Sequence, residues 1–198
     1  MLKALSRFEN GTFDLGDGQF REHRFEDMLT KIAGCIFDPS AKAERWDQFV
    51  YEVMDTNEAD AQYLQKLIGY CLWGRRPEQS IQFFVGDGGD GKSVFLETVR
   101  KALGDYQITL SATTFSAKNP ASIPNDVARL SGARFAGVSE LPKGLHVNTQ
   151  LMKGISGGDT LSARFLHQEF FDFEPEAVLL FVTNFYPFID VEDKAFLR

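Results

Sequence analysis

The chain has 198 residues, 43% hydrophobic and 25% charged, with a formal net charge of −7. That length suits one domain, or one domain plus an appendage, and the composition supports a real core. An acidic balance of this size excludes a protein that coats nucleic acid with a general basic face, although a local basic site fits within it.

The opening residues MLKALSRFENG lack the apolar segment of a signal peptide, and no apolar run approaches the ~20 residues of a membrane helix. Residues 10–25, NGTFDLGDGQFREHRF, alternate around Gly-Asp-Gly and predict a β-hairpin. Residues 38–54 open with turn residues, then set Trp46, Phe49, Val50 and Val53 at helical spacing. A second amphipathic helix is expected over 58–73, with Tyr63, Leu64, Leu67, Ile68, Cys71 and Leu72 on one side. WGRRPEQS (73–80) is a break, dividing a mostly helical N-terminal segment with its hairpin (1–75) from a core over 76–198.

From residue 81 the texture changes. IQFFV (81–85), ARFAGVSE (133–140) and AVLLFVTN (177–184) are short apolar runs, the mark of buried strands. SVFLETVRKALG (93–104) predicts a helix ended by Gly104, and 148–158 a shorter one ended by two glycines. Residues 160–175 alternate like a hairpin with its tip near Leu166–Gln168. Strand, helix and strand in this order predict an α/β fold, a parallel sheet with helices on both faces. The 19 Phe are expected to dominate its core. Cys35 and Cys71, far apart and without CxxC spacing, are expected to be two buried thiols. His23 and His146 lack ligand-spaced partners, so no zinc site is expected.

Between the first strand and the helix stands Gly86-Asp87-Gly88-Gly89-Asp90-Gly91-Lys92-Ser93, which fits G-x-x-x-x-G-K-[ST] without a mismatch. Glycines let backbone N–H groups turn inward around phosphate oxygens, and the following helix aims its positive end at the same anion. Lys92 would reach the β- and γ-phosphates of ATP, and Ser93 would offer a hydroxyl to Mg²⁺. The competing reading is a glycine-rich loop without ligand. Asp87 and Asp90 put negative charge beside that polyphosphate, and the residues alone leave open whether they face solvent or oppose it.

Hydrolysis needs a carboxylate at the end of a neighbouring strand, and Glu140 ends ARFAGVSE, with Ser139 where many ATPases carry Asp. An ordinary surface glutamate is the alternative. Thr183 and Asn184 end the third strand. There an amide can bond the γ-phosphate and the attacking water, or can simply open a turn.

Four blocks together resemble the superfamily 3 helicases, nearest to the phage and plasmid primase–helicase group that includes satellite-phage and poxvirus primases. They are GDGGDGKS, ARFAGVSELPKG, LMKGISGGDTLSARFLHQEFFDF and VLLFVTNFYPFIDVEDKAFLR. The likeness runs from about residue 10 to the end, and the third block, similar to the B′ motif, makes it specific. It implies a P-loop, AAA+-like ATPase core. By position, Lys92 and Ser93 would bind phosphate and Mg²⁺, Glu140 would assist metal binding and water activation, and Asn184 would sense the γ-phosphate. Arg198 would act as an arginine finger on a neighbour's ATP. The 160–173 hairpin would grip one DNA strand through Arg164 and His167, with Lys153 and Asp159 in the same motif. An ordinary hairpin packed by Phe170, Phe171 and Phe173 is the competing reading. Such helicases work as hexameric rings, and six copies of a hairpin with one or two cations form a positive collar.

Relatives in this group continue past Arg198 and carry a primase domain upstream. The chain is therefore expected to be the middle of a longer protein or a truncated mobile-element gene, working in a bacterial cytoplasm. Two alternatives stand beside the helicase: another P-loop enzyme, such as a small kinase or GTPase, and an inactive nucleotide-binding remnant or assembly module. A GTPase needs N-K-x-D, which the chain lacks.

Overall fold

A computed structural model describes residues 5–75, 78–117 and 125–189. Two compact units emerge from the contacts. The first runs to Arg75 and takes in Gly89–Tyr106, and the second holds residues up to Gly88 and those from Gln107 on.

The first unit opens with an antiparallel sheet of β1 (Leu5–Phe8), β2 (Gly11–Asp14) and β3 (Gln19–Arg21) in that order. This corrects the expectation of a mostly helical N-terminal segment with a single hairpin. The hairpin is there, as β2 and β3 with Phe13 opposite Phe20, but LSRF adds a strand in front of it. LSRF does not alternate, and four residues carry too little signal to distinguish from a coil. Asp14, whose carbonyl accepts from Gly18 N at 2.8 Å, closes the second turn, with Gly18 at φ 73°.

Helices follow only from α1 (Glu44–Val53) and α2 (Glu58–Trp73). Asn57 caps α2, its side chain accepting from the N–H of Ala59 and Asp60, and Gly74 ends it in the left-handed region. Leu64, Leu67 and Cys71 of the expected stripe are buried, whereas Tyr63 is exposed. Helix α3 (Lys92–Leu103) ends on Gly104 as expected. Trp46 of α1 stacks on Phe95 of α3 at 5.5 Å.

The second unit is built on a four-stranded sheet. Its members are β4 (Gln82–Val85), β5 (Gln107–Leu110), β6 (Phe135–Ser139) and β9 (Val178–Thr183), and the order is β4-β9-β6-β5. All its pairings are parallel, as strand–helix–strand order predicts. Strand β5 is absent from the expectation because QITL alternates half-buried with buried and is only four residues long. The helices α4 (Asn125–Ala128) and α5 (Thr149–Gly157) precede a small hairpin, β7 (Leu161–Ala163) with β8 (Phe171–Phe173).

Aliphatic residues dominate the buried interior. Of the described phenylalanines only Phe95, Phe115, Phe135 and Phe181 are fully buried, against the expectation that Phe would fill the core. Phe25, Phe170, Phe185 and Phe188 lie exposed. Phe181 anchors the sheet core, stacked on Phe83 at 4.9 Å and meeting Phe115 edge-on at 5.0 Å. Among the described residues no helix is long and apolar enough to cross a membrane.

The two cysteines differ. Cys71 is buried in α2 and its thiol is pushed up to about 12 by burial. Cys35 is exposed, which corrects its expected burial; it lies in irregular chain where no apolar periodicity marks an inner side. A disulfide-exchange reagent is expected to titrate one thiol rapidly in the native protein and the second only on unfolding. Rapid reaction of both would contradict the burial of Cys71.

Candidate functional site

Register sets the site. Across the second unit's sheet Val85 pairs with Thr183, and Ser139 pairs with Val182. The carboxyl ends of β4, β9 and β6 therefore finish level with one another. Gly86, Asn184 and Glu140 are the residues that leave those ends, at the edge where open α/β sheets bind ligands. Gly86 N donates to Thr183 O at 3.3 Å, and Glu140 N donates to Val182 O at 3.1 Å. Both connections are thus pinned to β9.

Two of the expected site residues gain detail here. Glu140 is exposed and left-handed, at φ 60°, a conformation that costs a glutamate about 1–3 kcal/mol. Thr183 is buried, and its hydroxyl both donates to Phe185 O at 2.9 Å and accepts from Phe185 N at 3.1 Å. That closed turn leaves Asn184 exposed at the strand tip, so the turn and the amide position occur together.

The glycine loop carries the chain from β4 into α3. Nothing stands within 4 Å of a Cβ built on Gly88 or Gly89, so the backbone there is open to a close-approaching group. Gly89 lies at φ 87° and Gly91 at φ 86°. Gly91 is required twice over, because a Cβ on it would meet Val53 Cγ1 at 2.6 Å and Phe49 Cε2 at 3.2 Å. The helical stripe of α1 read from sequence thus packs against the loop, a placement that spacing alone does not reveal. Helix α3 begins at Lys92 with no side-chain cap on its N-terminus and no acidic residue in its first turn. Such an end carries partial positive charge and undercapped N–H donors.

Lys92 pairs with Asp90, its ammonium donating to the carboxylate. This donation pulls the Asp90 carboxyl below its usual range, and the backbone N–H groups of Lys92 and Asp90 act in the same direction. Sequence reading left the orientation of Asp90 open; its side chain turns onto the loop's own lysine.

In the small hairpin, Leu161 faces Phe173 and Ala163 faces Phe171, so the strands close well before the expected tip. Arg164 and His167 lie exposed in the connecting residues 164–170. The Arg164 guanidinium stands 4.8 Å from the Phe170 ring centre, and His167 is left-handed at φ 64°. Leu166 N donates to Asn125 Oδ1 at 3.1 Å, tying the turn to α4. Lys153 is on α5, half-buried, rather than on the hairpin. Arg198 lies outside the described residues. A concavity of about 370 Å³ opens instead in the first unit, lined in part by Arg7, Thr12, Arg24 and Phe25, and no sequence motif marks it.

Gly91→Ala is expected to destabilise the protein by about 2–3 kcal/mol, from the left-handed backbone and the clash with Val53. The midpoint of urea denaturation measures it, and a change below about 0.5 kcal/mol would show that the loop yields freely.

The chain is similar to a protein of Acanthamoeba polyphaga mimivirus called "Putative helicase L207/L206", at 28% identity over 195 residues, covering 96% of this chain and 20% of that one. It is similar as well to "Putative helicase 184R" of Invertebrate iridescent virus 6, at 26% identity, covering 98% and 21%. The chain thus spans about a fifth of the length of these curated relatives. The solved apo structure of the NrS-1 C-terminal region, A form, shares the fold with a TM-score of 0.62 at 14% identity, over 80% of this chain and 40% of that one. The resemblance that the four sequence blocks carry thus extends to viral proteins called putative helicases. The profile described as "D5 N terminal like" matches residues 3–55. A second profile, "Family of unknown function (DUF5906)", matches residues 84–198, more than half of the chain, and the chain belongs to that family.

Proposed function

We propose that this chain is the ATP-driven motor portion of a DNA helicase working in replication. The observation that carries the reading is the phosphate loop: open backbone at Gly88 and Gly89, left-handed glycines at 89 and 91, and an uncapped helix beginning at Lys92. An anion meets complementary charge there, at an end whose cap position, Gly91, carries no side chain. The viral relatives named as helicases support the choice of reaction.

In this reading the loop from Gly86 to Ser93 holds the ATP phosphates, and Lys92 contacts the β- and γ-phosphates. Among the described residues no cluster of three or more His, Cys, Asp or Glu could hold a metal by itself. That fits Mg²⁺, which binds mainly to the nucleotide's phosphates with one or two protein groups. Ser93 and Glu140 would be those groups, and the ion would neutralise charge on the transferred phosphoryl. Glu140 also orients the attacking water, and Asn184 contacts the γ-phosphate. Arg198 serves a neighbouring subunit's site, which makes the working form a homo-oligomer, a hexameric ring. Arg164 and His167 touch single-stranded DNA from the hairpin, with Lys153 in support, and a primase domain or protein works alongside.

The test is the ATPase rate against protein concentration, with and without single-stranded DNA. The specific rate is expected to rise with concentration and again with DNA, and Lys92→Ala to bring it to background. Arg164→Ala is expected to lose most of the DNA stimulation. Tight nucleotide binding without turnover at any concentration would favour the inactive nucleotide-binding remnant instead.

A further inference from the structure

Asp90 sits two residues before the loop lysine, and left-handed Gly91 turns the chain between them so that the two side chains meet. The Lys92 ammonium donates to the Asp90 carboxylate, with the side chains 12% and 37% exposed. A carboxylate on that ammonium is chemically the same kind of partner as a nucleotide phosphate oxygen: an anionic acceptor on one cationic donor. The two partners are mutually exclusive in the sense that each full charge-assisted contact formed with one weakens the other. Asp90 also contributes a negative charge within a few ångströms of the place where a polyphosphate would sit, and this repulsion falls on the phosphates alone.

We propose that Asp90 is a positioning residue that holds Lys92 and competes with incoming β- and γ-phosphates for its ammonium, so that the loop binds nucleotide more weakly than its donors allow. The inference rests on the nucleotide reading above. A loop of this kind releases its product readily, because the carboxylate retakes the lysine as the phosphates leave.

The probe is a methylanthraniloyl-labelled ADP, titrated by fluorescence against the full chain. Asp90→Asn removes the charge and keeps the shape, and is expected to lower Kd by about three- to tenfold. Asp87→Asn removes the same charge from the same loop and is expected to change Kd by less than about twofold. Asp90→Glu, which retains the carboxylate, is expected to stay near the wild type. In a Lys92→Ala background the gain from Asp90→Asn is expected to shrink to the residual repulsion, because the competition has lost its object. Equal gains from Asp87→Asn and Asp90→Asn, or a gain that persists undiminished without Lys92, would reduce the effect to net charge and overturn the proposal. Wild-type binding with Asp90→Asn unchanged overturns the role of Asp90 alone. Absence of binding in both proteins overturns the nucleotide reading itself.

Discussion

The architecture of the second unit depends on strand β9. It is buried along its whole length and hydrogen-bonds to β4 on one side and β6 on the other. Parallel register then leaves no freedom in where the neighbours end: Val85 stands beside Thr183 and Ser139 beside Val182. A slip of one residue would exchange the two buried faces of β9 and carry Phe181 away from its seat between Phe83 and Phe115. Core packing thus fixes the register, and register fixes which residues leave the sheet at its carboxyl edge. Gly86, Glu140 and Asn184 occupy those exits.

The glycine loop adds a second constraint, and it is local. Its conformation needs positive φ at two positions, and at Gly91 it also needs the space that Phe49 and Val53 leave. The first unit therefore specifies this turn through packing as well as through backbone preference. A loop held so firmly offers its N–H groups without first having to be ordered. That is what makes backbone donors effective toward an anion. Lys92 is the part left adjustable, and Asp90 is where it rests.

Much of this was legible in the sequence, for reasons that differ by element. The glycine loop between β4 and α3 was legible because eight consecutive residues carry its backbone requirement. Strands β6 and β9 were legible because a parallel strand covered on both faces reads as an unbroken apolar run, whereas β4, read as buried, is a half-buried edge strand. Strands β1 and β5 were not, because four residues are too few to establish a period. The phenylalanines misled for a related reason: apolar character predicts burial, but Phe25, Phe170, Phe185 and Phe188 lie in turns and connections with no sheet face to turn toward. The Asp90–Lys92 pair and the seat of Gly91 against α1 were illegible because they depend on side-chain direction and tertiary approach. Spacing encodes neither.

Glu140 brings these threads to one residue. Among the described non-glycine residues with positive φ, Met28 ends a short turn, Asp55 and Thr56 lie in the short connection between α1 and α2, and His167 lies in an exposed turn. Asp and His are residue types that visit this region with some ease, and connections commonly ask for it. Glutamate has no such local excuse, since its longer side chain does not fold back onto its own backbone as Asp or Asn does. Nor does burial offset the cost, because Glu140 is exposed. Glycine would satisfy the backbone at that position more cheaply, and Gly144 at φ 82° shows that the same connection uses glycine where only the turn matters. What the strained backbone does achieve is geometric. With its N–H bonded to Val182 O, residue 140 is anchored at the carboxyl end of β6, and a glutamate there keeps a carboxylate at the edge where the loop leaves β4. The left-handed backbone thus falls on an acidic residue at that edge, as the proposed role of Glu140 would have it.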